Sequence, residues 1–368
     1  MAMSLTGFLN VAVLMGGPSW EHDISLKSAT TVINHCDPKH YKVTPVVVGR
    51  DGLWFIYPDD SGFQVPMTDF CSWMPLVPSL HLTSALSELR NRGVDICFIA
   101  MHGAFGEDGT LQGALEAAGF AYTGSSVIAS SVAMDKIIYK QVLMGAKITV
   151  PKAVFMHRPI LPDDIDSYCE YLIATLGMPC VVKAPSSGSS IGVSVCRTKE
   201  ELALSIGQMY EMEGRLLFEE YIQGREFTCA VLGNAHSSLL PLPVTEIISS
   251  NSFFDFDAKY RPGGAREITP ADIHDDLRES IQQVALAVHT AINCQGMSRT
   301  DVLVRDDTVY VLETNTIPGM TDQSLLPKAA QAAGYSLYEL ISLIISYGQE
   351  HFSDKHKRLA VAIPNSVP

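Results

Sequence analysis

The chain has 368 residues, which is enough for two or three domains, and it carries a formal net charge of -14. No basic stripe offsets that charge, so we expect no nucleic-acid partner. We expect no membrane-spanning segment, because the longer uncharged runs are interrupted by Gly and polar residues. No Lys or Arg precedes Lys27, so the basic start of a secretory leader is also missing.

The eight cysteines are scattered, without CxxC pairs or regular spacing. Cys97, Cys180 and Cys229 stand in apolar segments that are typical of strands, as buried free thiols do. Free thiols of this kind indicate a reducing compartment, so we expect a cytoplasmic protein.

The first part of the chain alternates short apolar strands with helices, which predicts a parallel sheet with covered faces. Ligands of such sheets lie at the carboxyl ends of the strands, where segments 16–21 and 102–108 fall. The predicted elements are a strand at 10–15, a helix at 25–34, strands at 43–48 and 94–101, and a helix at 110–118.

The middle of the chain contains a loop of small residues, APSSGSS at 184–190, between two predicted strands. Such a loop lets backbone N–H groups approach an anion, although a plain hairpin connection has the same composition. The predicted elements around it are helices at 133–144 and 165–176 and strands at 180–183 and 191–197.

Two lysines stand near this loop. Lys183 ends a strand directly before it, and Lys136 lies in a mostly apolar helix after Met134-Asp135. A lysine at such a place can neutralise a phosphate, although each one alone is more often a surface lysine with a buried stem.

A long aromatic loop, FFDFDAKYRPGG at 253–264, has Lys259 and Tyr260 at its centre. Loops of this length often close over a site, and an ordinary surface loop is the alternative. Strands are predicted at 216–222, 226–232 and 239–247, a helix at 271–292, and two helices at the C-terminal end.

The stretch SRTDVLVRDDTVYVLETNTIPGMT at 298–321 predicts a β-hairpin that turns at its Asp-Asp pair. Because side chains alternate along a strand, Arg299 shares a face with Asp301, and Glu313 with Asn315. A three-residue loop would place Asp301 opposite Glu313. Two carboxylates and an amide oxygen on one face suit Mg²⁺. A solvated polar face is the alternative, and the otherwise apolar arms disfavour it.

The hairpin is followed by Gly319, Thr321 and the pair Ser324-Leu325, near the start of a predicted helix. The N–H groups at a helix N-terminus bind carboxylates and oxyanions. Simple N-capping by Thr321 or Ser324 is the alternative.

Taken in order along the chain, these pieces resemble the D-alanine–D-alanine ligases of the ATP-grasp superfamily. The matching segments are GGPSWEHDISL at 16–26, MHGAFGEDGTLQG at 101–113, MDK at 134–136, VVKAPSSGSSIG at 181–192, EEYIQGREFT at 219–228, AKY at 258–260, SRTDV at 298–302 and LETNTIPGMTDQSLLP at 312–327.

The resemblance implies an α/β (α+β) fold of three domains, with ATP held between two antiparallel sheets. These would be a Rossmann-like N-terminal domain at 1–124, a central domain at 125–215, and a C-terminal domain at 216–350 with the lid and the metal site. A tail would follow at 351–368. The resemblance also implies a homodimer.

The implied reaction joins two D-alanines through a D-alanyl phosphate, with ADP and phosphate as the other products, for peptidoglycan synthesis. Glu21, with His102 nearby, would meet the ammonium group of the first D-alanine. Ser189 and Tyr260 would hydrogen-bond with Glu21 and hold the lid closed.

The resemblance further implies an oxyanion hole formed by Arg299 and the Gly319 N–H, while Ser324 and the Leu325 N–H bind the carboxylate of the second D-alanine. Two Mg²⁺ or Mn²⁺ ions would be held by the hairpin residues Asp301, Glu313 and Asn315. The implied ATP-binding residues are Lys136, Lys183, Ser190, Glu219, Glu220, Ile222, Glu226 and Lys259.

The sequence departs from the family pattern at the small-residue loop, at SRTD, and at Glu220, where a lysine is frequent. One alternative is an ATP-grasp ligase that joins D-alanine to another D-amino or D-hydroxy acid, although Tyr260 and Ser324 favour an amine nucleophile. Others are a non-catalytic nucleotide-binding protein, which would lack some of these residues, and a dinucleotide-binding oxidoreductase. GGPSWE at 16–21 does not match the GxGxxG of the last class.

Overall fold

The computed structural model describes residues 8–58, 77–157, 164–186, 192–249 and 265–362. Within these ranges the chain forms three β-sheets, each with helices packed against it. No helix of the described residues combines the length and the apolar character needed to cross a bilayer.

The first sheet is built from strands Leu9–Gly16 (β1), Tyr41–Val48 (β2), Trp54–Ile56 (β3), Ser79–Leu80 (β4), Ile96–Ile99 (β5) and Ala121–Tyr122 (β6). Their order is β4-β3-β2-β1-β5-β6. The pairs β1–β2, β1–β5 and β5–β6 are parallel, as predicted, and β3 and β4 join antiparallel at one edge. The central strand β1 is buried along most of its length, as expected for a strand covered on both faces.

Helices His22–His35 (α1), Leu82–Asn91 (α2) and Thr110–Ala117 (α3) pack around this sheet. The C-terminal helix Leu337–Ala362 also returns to it, and the Lys355 ammonium pairs with Glu116 of α3 at 2.5 Å. The prediction of a tail from residue 351 is therefore wrong as far as residue 362. Apolar residues at helical spacing, such as Ile341 and Ile345, bury one face of this helix in the first core.

Two short helices, Val127–Met134 (α4) and Lys136–Gly145 (α5), replace the single helix predicted at 133–144. The break is at Asp135, whose Oδ1 accepts the backbone N–H groups of Ile137 and Ile138 at 3.0 and 3.1 Å. Asp135 is thus the N-cap of α5.

The second sheet is antiparallel, in the order β7-β10-β8-β9. Its strands are Ala153–Met156 (β7), Cys180–Lys183 (β8), Val193–Cys196 (β9) and Leu216–Glu220 (β10). Helices Ile165–Leu176 (α6) and Lys199–Glu213 (α7) pack on it. Because β10 hydrogen-bonds with β7 and β8, a boundary between residues 215 and 216 would separate it from its own sheet. A division by sheets falls after Glu220.

The third sheet is also antiparallel, in the order β14-β13-β11-β15-β16, with β12 beside β11. Its strands are Arg225–Leu232 (β11), Leu240–Pro241 (β12), Thr245–Ser249 (β13), Ala265–Ile268 (β14), Met297–Arg305 (β15) and Thr308–Asn315 (β16). Helix Asp275–Ala291 (α8) packs against it. The strand predicted at 239–247 is divided into β12 and β13, since Pro243 has no N–H for a continuous ladder.

The hairpin of β15 and β16 has the predicted pairing but not the predicted loop. Its turn has two residues, both with positive φ, as in a type I′ turn. A two-residue turn alone would set Asp301 opposite Leu312. A bulge between Asp301 and Val302 shifts the register by one residue, so that Asp301 is opposite Glu313.

The turn offers a test of this geometry. Asp307 has φ 59°, a conformation that glycine adopts without a steric penalty, so Asp307→Gly should stabilise the protein. The expected gain is about 0.5–1 kcal/mol, since the exposed pair with His274 contributes little. Thermal unfolding checks this against Thr308→Gly in the adjoining strand, which should destabilise. A lower melting temperature for Asp307→Gly would contradict the turn assignment.

Candidate active site

A cavity of about 360 Å³ lies where the loops of the first sheet meet helix α5, the hairpin and the segment that follows it. Parts of the chain that are far apart in sequence therefore share one space. The predicted site residues that line it are Glu21, His102, Lys136, Arg299, Asp301, Glu313, Asn315, Gly319, Ser324 and Leu325.

The hairpin supplies the charged floor of the cavity. Asp301 is buried, and the Arg299 guanidinium donates to both of its carboxylate oxygens, from Nε at 3.0 Å and from Nη2 at 2.9 Å. The Thr228 hydroxyl, on the neighbouring strand β11, donates to Asp301 Oδ1 at 2.5 Å. Glu313 Oε2 lies 3.6 Å from the Lys136 ammonium. Each carboxylate thus has a cationic neighbour.

The donor set of the hairpin fits a hard divalent cation. Among the described residues no group of three or more His, Cys, Asp or Glu side chains could hold a metal by itself. Asp301 and Glu313 are opposite each other, and Asn315 adds an amide oxygen from the same strand face. Mg²⁺ typically takes one or two carboxylates and keeps waters and phosphate oxygens as its other ligands, so a two-carboxylate set suits it.

His102 connects the first sheet to the segment after the hairpin. Its Nδ1–H donates to the Ile317 carbonyl oxygen at 3.1 Å, so its Nε2 accepts from the Ser28 hydroxyl at 2.9 Å. The Ser28 oxygen also accepts the Met320 N–H at 3.2 Å. Burial lowers the pKa of His102 by more than the nearby charge of Glu21 raises it, so the ring is held neutral in one tautomer.

Glu107 is a site residue that the sequence reasoning did not single out, although it lies in the HGAFGEDG motif. The Gly103 N–H donates to its Oε2 at 2.6 Å. Burial, followed by the nearby charge of Glu21, raises the pKa of Glu107 to about 8. Gly103 has φ 71°, and a Cβ there would lie 2.7 Å from Glu21 Oε2, so the loop approaches Glu21 closely.

This raised pKa predicts how stability changes with pH. The unfolded chain loses the Glu107 proton near pH 4.5, whereas the folded protein keeps it until about pH 8. Raising the pH through that window therefore favours unfolding, and the effect is complete above pH 8. Glu107→Gln removes this titration. The melting temperature of the variant, relative to that of the unchanged protein, should therefore rise as the pH increases from 5 to 8. A difference that is constant with pH would contradict this assignment.

Strand β8 of the second sheet and helix α5 each place one lysine beside a buried carboxylate. Glu219 is 2% exposed, with Oε2 2.6 Å from the Lys183 ammonium and Oε1 2.5 Å from that of Lys140. Burial alone would raise the pKa of Glu219, but Lys140 and then Lys183 lower it below its ordinary value. Lys140 was missed in the sequence, where its only signal is its position one helical turn after Lys136.

The other predicted nucleotide contacts lie on the same sheet or next to it. Glu220 Oε1 accepts the Lys152 N–H at 2.8 Å, Ile222 is buried, and Glu226 is in β11. These positions agree with a binding surface beside β10, and their roles remain predictions. The predicted residues outside the described ranges are Ser189, Ser190, Lys259 and Tyr260.

The segment after the hairpin packs Gly319 against the start of helix Leu325–Ala332 (α9). A Cβ on Gly319 would lie 2.8 Å from Ser324 Oγ, so a larger residue would require the Ser324 side chain to shift. Ser324 makes no side-chain cap to the helix, and its Oγ accepts the Thr321 N–H at 3.1 Å. Capping of α9 by the Ser324 side chain is therefore wrong, and the helix N-terminus borders the cavity.

Comparison with known proteins identifies the class. Two family models match, D-ala D-ala ligase N-terminus over residues 10–125 and D-ala D-ala ligase C-terminus over residues 142–346. The D-alanine–D-alanine ligase of Desulforudis audaxviator is 37% identical over 341 residues, which cover 92% of this chain and 98% of that protein.

Solved structures of D-alanine–D-alanine ligases also match this chain. The D-alanine–D-alanine ligase of Coxiella burnetii matches with a TM-score of 0.80 and 27% identity, over 97% of this chain and 98% of that one. The enzyme of Bacillus anthracis complexed with ATP matches with 0.70 and 28%, over 94% and 99%. The three-sheet fold is that of an ATP-grasp ligase. Within that class, the chain belongs to the D-alanine–D-alanine ligase family.

Proposed function

We propose that this protein joins two D-alanines to D-alanyl-D-alanine and converts ATP to ADP and phosphate. The observation that carries the proposal is the convergence in one cavity of the opposed carboxylates Asp301 and Glu313, the guanidinium of Arg299, the Lys136 ammonium and the N-terminus of α9. These are the groups that a phosphoryl transfer followed by an acyl transfer needs. The product is a peptidoglycan precursor.

In the first step, a carboxylate oxygen of one D-alanine attacks the γ-phosphorus of ATP, and ADP leaves. Glu21 binds the ammonium group of this substrate, beside the neutral His102. The proposed roles of Ser189 and Tyr260 are to bond with Glu21 and to close the lid. Holding the two reactants in line is the main contribution of such contacts.

In the second step, the amine of another D-alanine attacks the acyl phosphate carbon, the carbon–oxygen bond to phosphate breaks, and phosphate leaves with the proton that the amine nitrogen loses. Arg299 and the Gly319 N–H stabilise the negative oxygen that develops on the attacked carbon. Ser324 and the Leu325 N–H bind the carboxylate of the attacking substrate, since the helix N-terminus favours an anion.

ATP lies between the second and third sheets in this proposal. Lys136 and Lys183 neutralise the α- and β-phosphates, Lys259 meets the transferred phosphoryl group, and Glu226 takes the ribose hydroxyls. Ser190, Glu219, Glu220 and Ile222 complete the proposed ATP site. Asp301, Glu313 and Asn315 would hold Mg²⁺ or Mn²⁺, which supplies positive charge against the phosphate oxygens.

The domain assignment and the assembly state belong to the same proposal. We place the Rossmann-like domain at 1–124, the central domain at 125–220 and the C-terminal domain from 221, and the last helix of the chain ends at Ala362. A homodimer and a cytoplasmic location are proposed by analogy with the family.

Phosphate release from Mg-ATP, measured with and without D-alanine, tests the proposed function. We expect release that depends on D-alanine and a product with the mass of D-alanyl-D-alanine. D-serine and D-lactate, each offered together with D-alanine, test the second substrate position. A preference for a mixed product would favour the alternative ligase, and ATP binding without turnover would favour the non-catalytic alternative.

A further inference from the structure

Lys140 is a fully buried lysine for which the proposed mechanism has no use. Its side chain is 0% exposed, and its ammonium lies 2.5 Å from Glu219 Oε1 and 3.5 Å from the Val311 carbonyl oxygen. Burial of an ammonium is strongly unfavourable unless it is paired. An apolar side chain in a buried helix position would often be at least as stabilising as a buried ion pair, so stability alone does not explain this lysine.

The charge around Glu219 suggests a function for it. Glu219 lies between two ammonium groups, because its other oxygen is 2.6 Å from Lys183. Two lysines and one carboxylate carry one net positive charge. Without Lys140, the pair of Glu219 and Lys183 would be neutral and would attract a phosphate far less.

We infer that Lys140 is a positioning residue that neutralises Glu219 and thereby leaves the positive charge of Lys183 available to the phosphates of the bound nucleotide. The inference rests on the proposed function, since it assigns Lys183 to the phosphates. Helix α5 presents Lys140 and Lys136 on one face, so both lysines are held by the same rigid element. The Tyr139 hydroxyl bonds to Thr314 Oγ1 at 2.7 Å and fixes this helix to the hairpin.

Calorimetric binding of ATP and of adenosine to the full chain tests this inference. The difference between the two affinities measures the contribution of the phosphates and removes any effect at the base. Lys140→Met should weaken ATP binding about tenfold, the order of magnitude for one lost charge at an effective dielectric constant of about 20, and leave adenosine binding unchanged. Lys199→Met is the matched control, because it removes a lysine that pairs with Asp166 and Glu170 on the outside of the same domain.

The double variant Lys140→Met/Glu219→Gln separates this role from a structural one. The double variant again carries one net positive charge beside the phosphates, so its ATP affinity should return toward that of the unchanged protein. ATP binding as weak in the double variant as in Lys140→Met, or an equal loss for adenosine and ATP, would overturn the inference.

If Lys140→Met does not fold, the Glu219→Gln variant alone tests the inference. It leaves two lysines with no carboxylate between them, so the phosphate contribution should stay the same or rise, and a fall would overturn the inference. Failure of the unchanged protein to bind ATP would instead reject the proposed function.

Discussion

Glu313→Gln is expected to lower kcat by about 10³-fold, at the upper end of what one preorganised electrostatic contact contributes. Glu313 lies opposite Asp301 in the hairpin and 3.6 Å from the Lys136 ammonium. The amide removes a charged oxygen ligand from the proposed Mg²⁺ set and keeps the shape of the side chain. Steady-state kinetics over a range of Mg²⁺ concentrations check this, and the variant should need more Mg²⁺ than the unchanged protein.

The matched control is Asp306→Asn, which changes an exposed carboxylate to an amide in the turn of the same hairpin. It should keep both the rate and the Mg²⁺ requirement. If Glu313→Gln turned over at a near-normal rate, the metal assignment of the hairpin would be wrong, whatever the fate of the other assignments.

Arg299→Met should lower kcat by about 10²–10³-fold, as the loss of an oxyanion-hole donor does. The KM for ATP should change little, because the proposed role concerns the acyl carbon and not the nucleotide. Arg299→Lys should also be slow, since a lysine cannot reproduce the two parallel bonds to Asp301 at 2.9 and 3.0 Å. Both variants are tested by measuring their single-turnover and steady-state rates.

Arg305→Met is the control for this prediction. Arg305 lies on the same strand but does not line the cavity. Its guanidinium donates to the Tyr310 hydroxyl at 3.0 Å and lies 4.0 Å from Glu220 Oε2, so its loss can affect ATP affinity but not the oxyanion. The kcat of Arg305→Met should be close to that of the unchanged protein. If Arg299→Met raised the Mg²⁺ requirement as Glu313→Gln does, with no other effect, Arg299 would act by holding Asp301 and not on the oxyanion.

The hairpin shows which structural features the sequence pattern can predict and which it cannot. Alternation along each strand was enough to place Asp301 with Arg299, and Glu313 with Asn315, on one face. The pairing across the strands was correct for a different reason from the one expected, since a two-residue turn and a bulge together replace the three-residue loop. No glycine marks this bulge in the sequence, so only the structure could supply it.

Two helix boundaries were predicted wrongly, each for a physical reason. Asp135 after Met134 is an N-cap signal in the sequence, and reading it as one would have divided the helix predicted at 133–144. The C-terminal helix was cut short because its last turns are rich in charge. Its packing partner, the first sheet, is more than 200 residues away in sequence, so local patterns could not reveal it.

Lys140 and Glu107 were missed because their meaning depends on distant neighbours. Lys140 looks like one polar residue in an apolar helix until the strand with Glu219 is packed against it. Glu107 belongs to a motif that was recognised, but its raised pKa comes from burial and from Glu21, which is on another loop. Contacts of this kind are set by the tertiary fold.

The most direct test of the account is the fate of the carboxylate oxygens of D-alanine. D-alanine labelled with ¹⁸O in its carboxyl group is incubated with the protein and Mg-ATP, and the released phosphate is analysed by mass spectrometry. Attack of the carboxylate on the γ-phosphorus predicts one labelled oxygen in each phosphate, together with labelled D-alanyl-D-alanine. Unlabelled phosphate accompanying the dipeptide would contradict the acyl phosphate pathway.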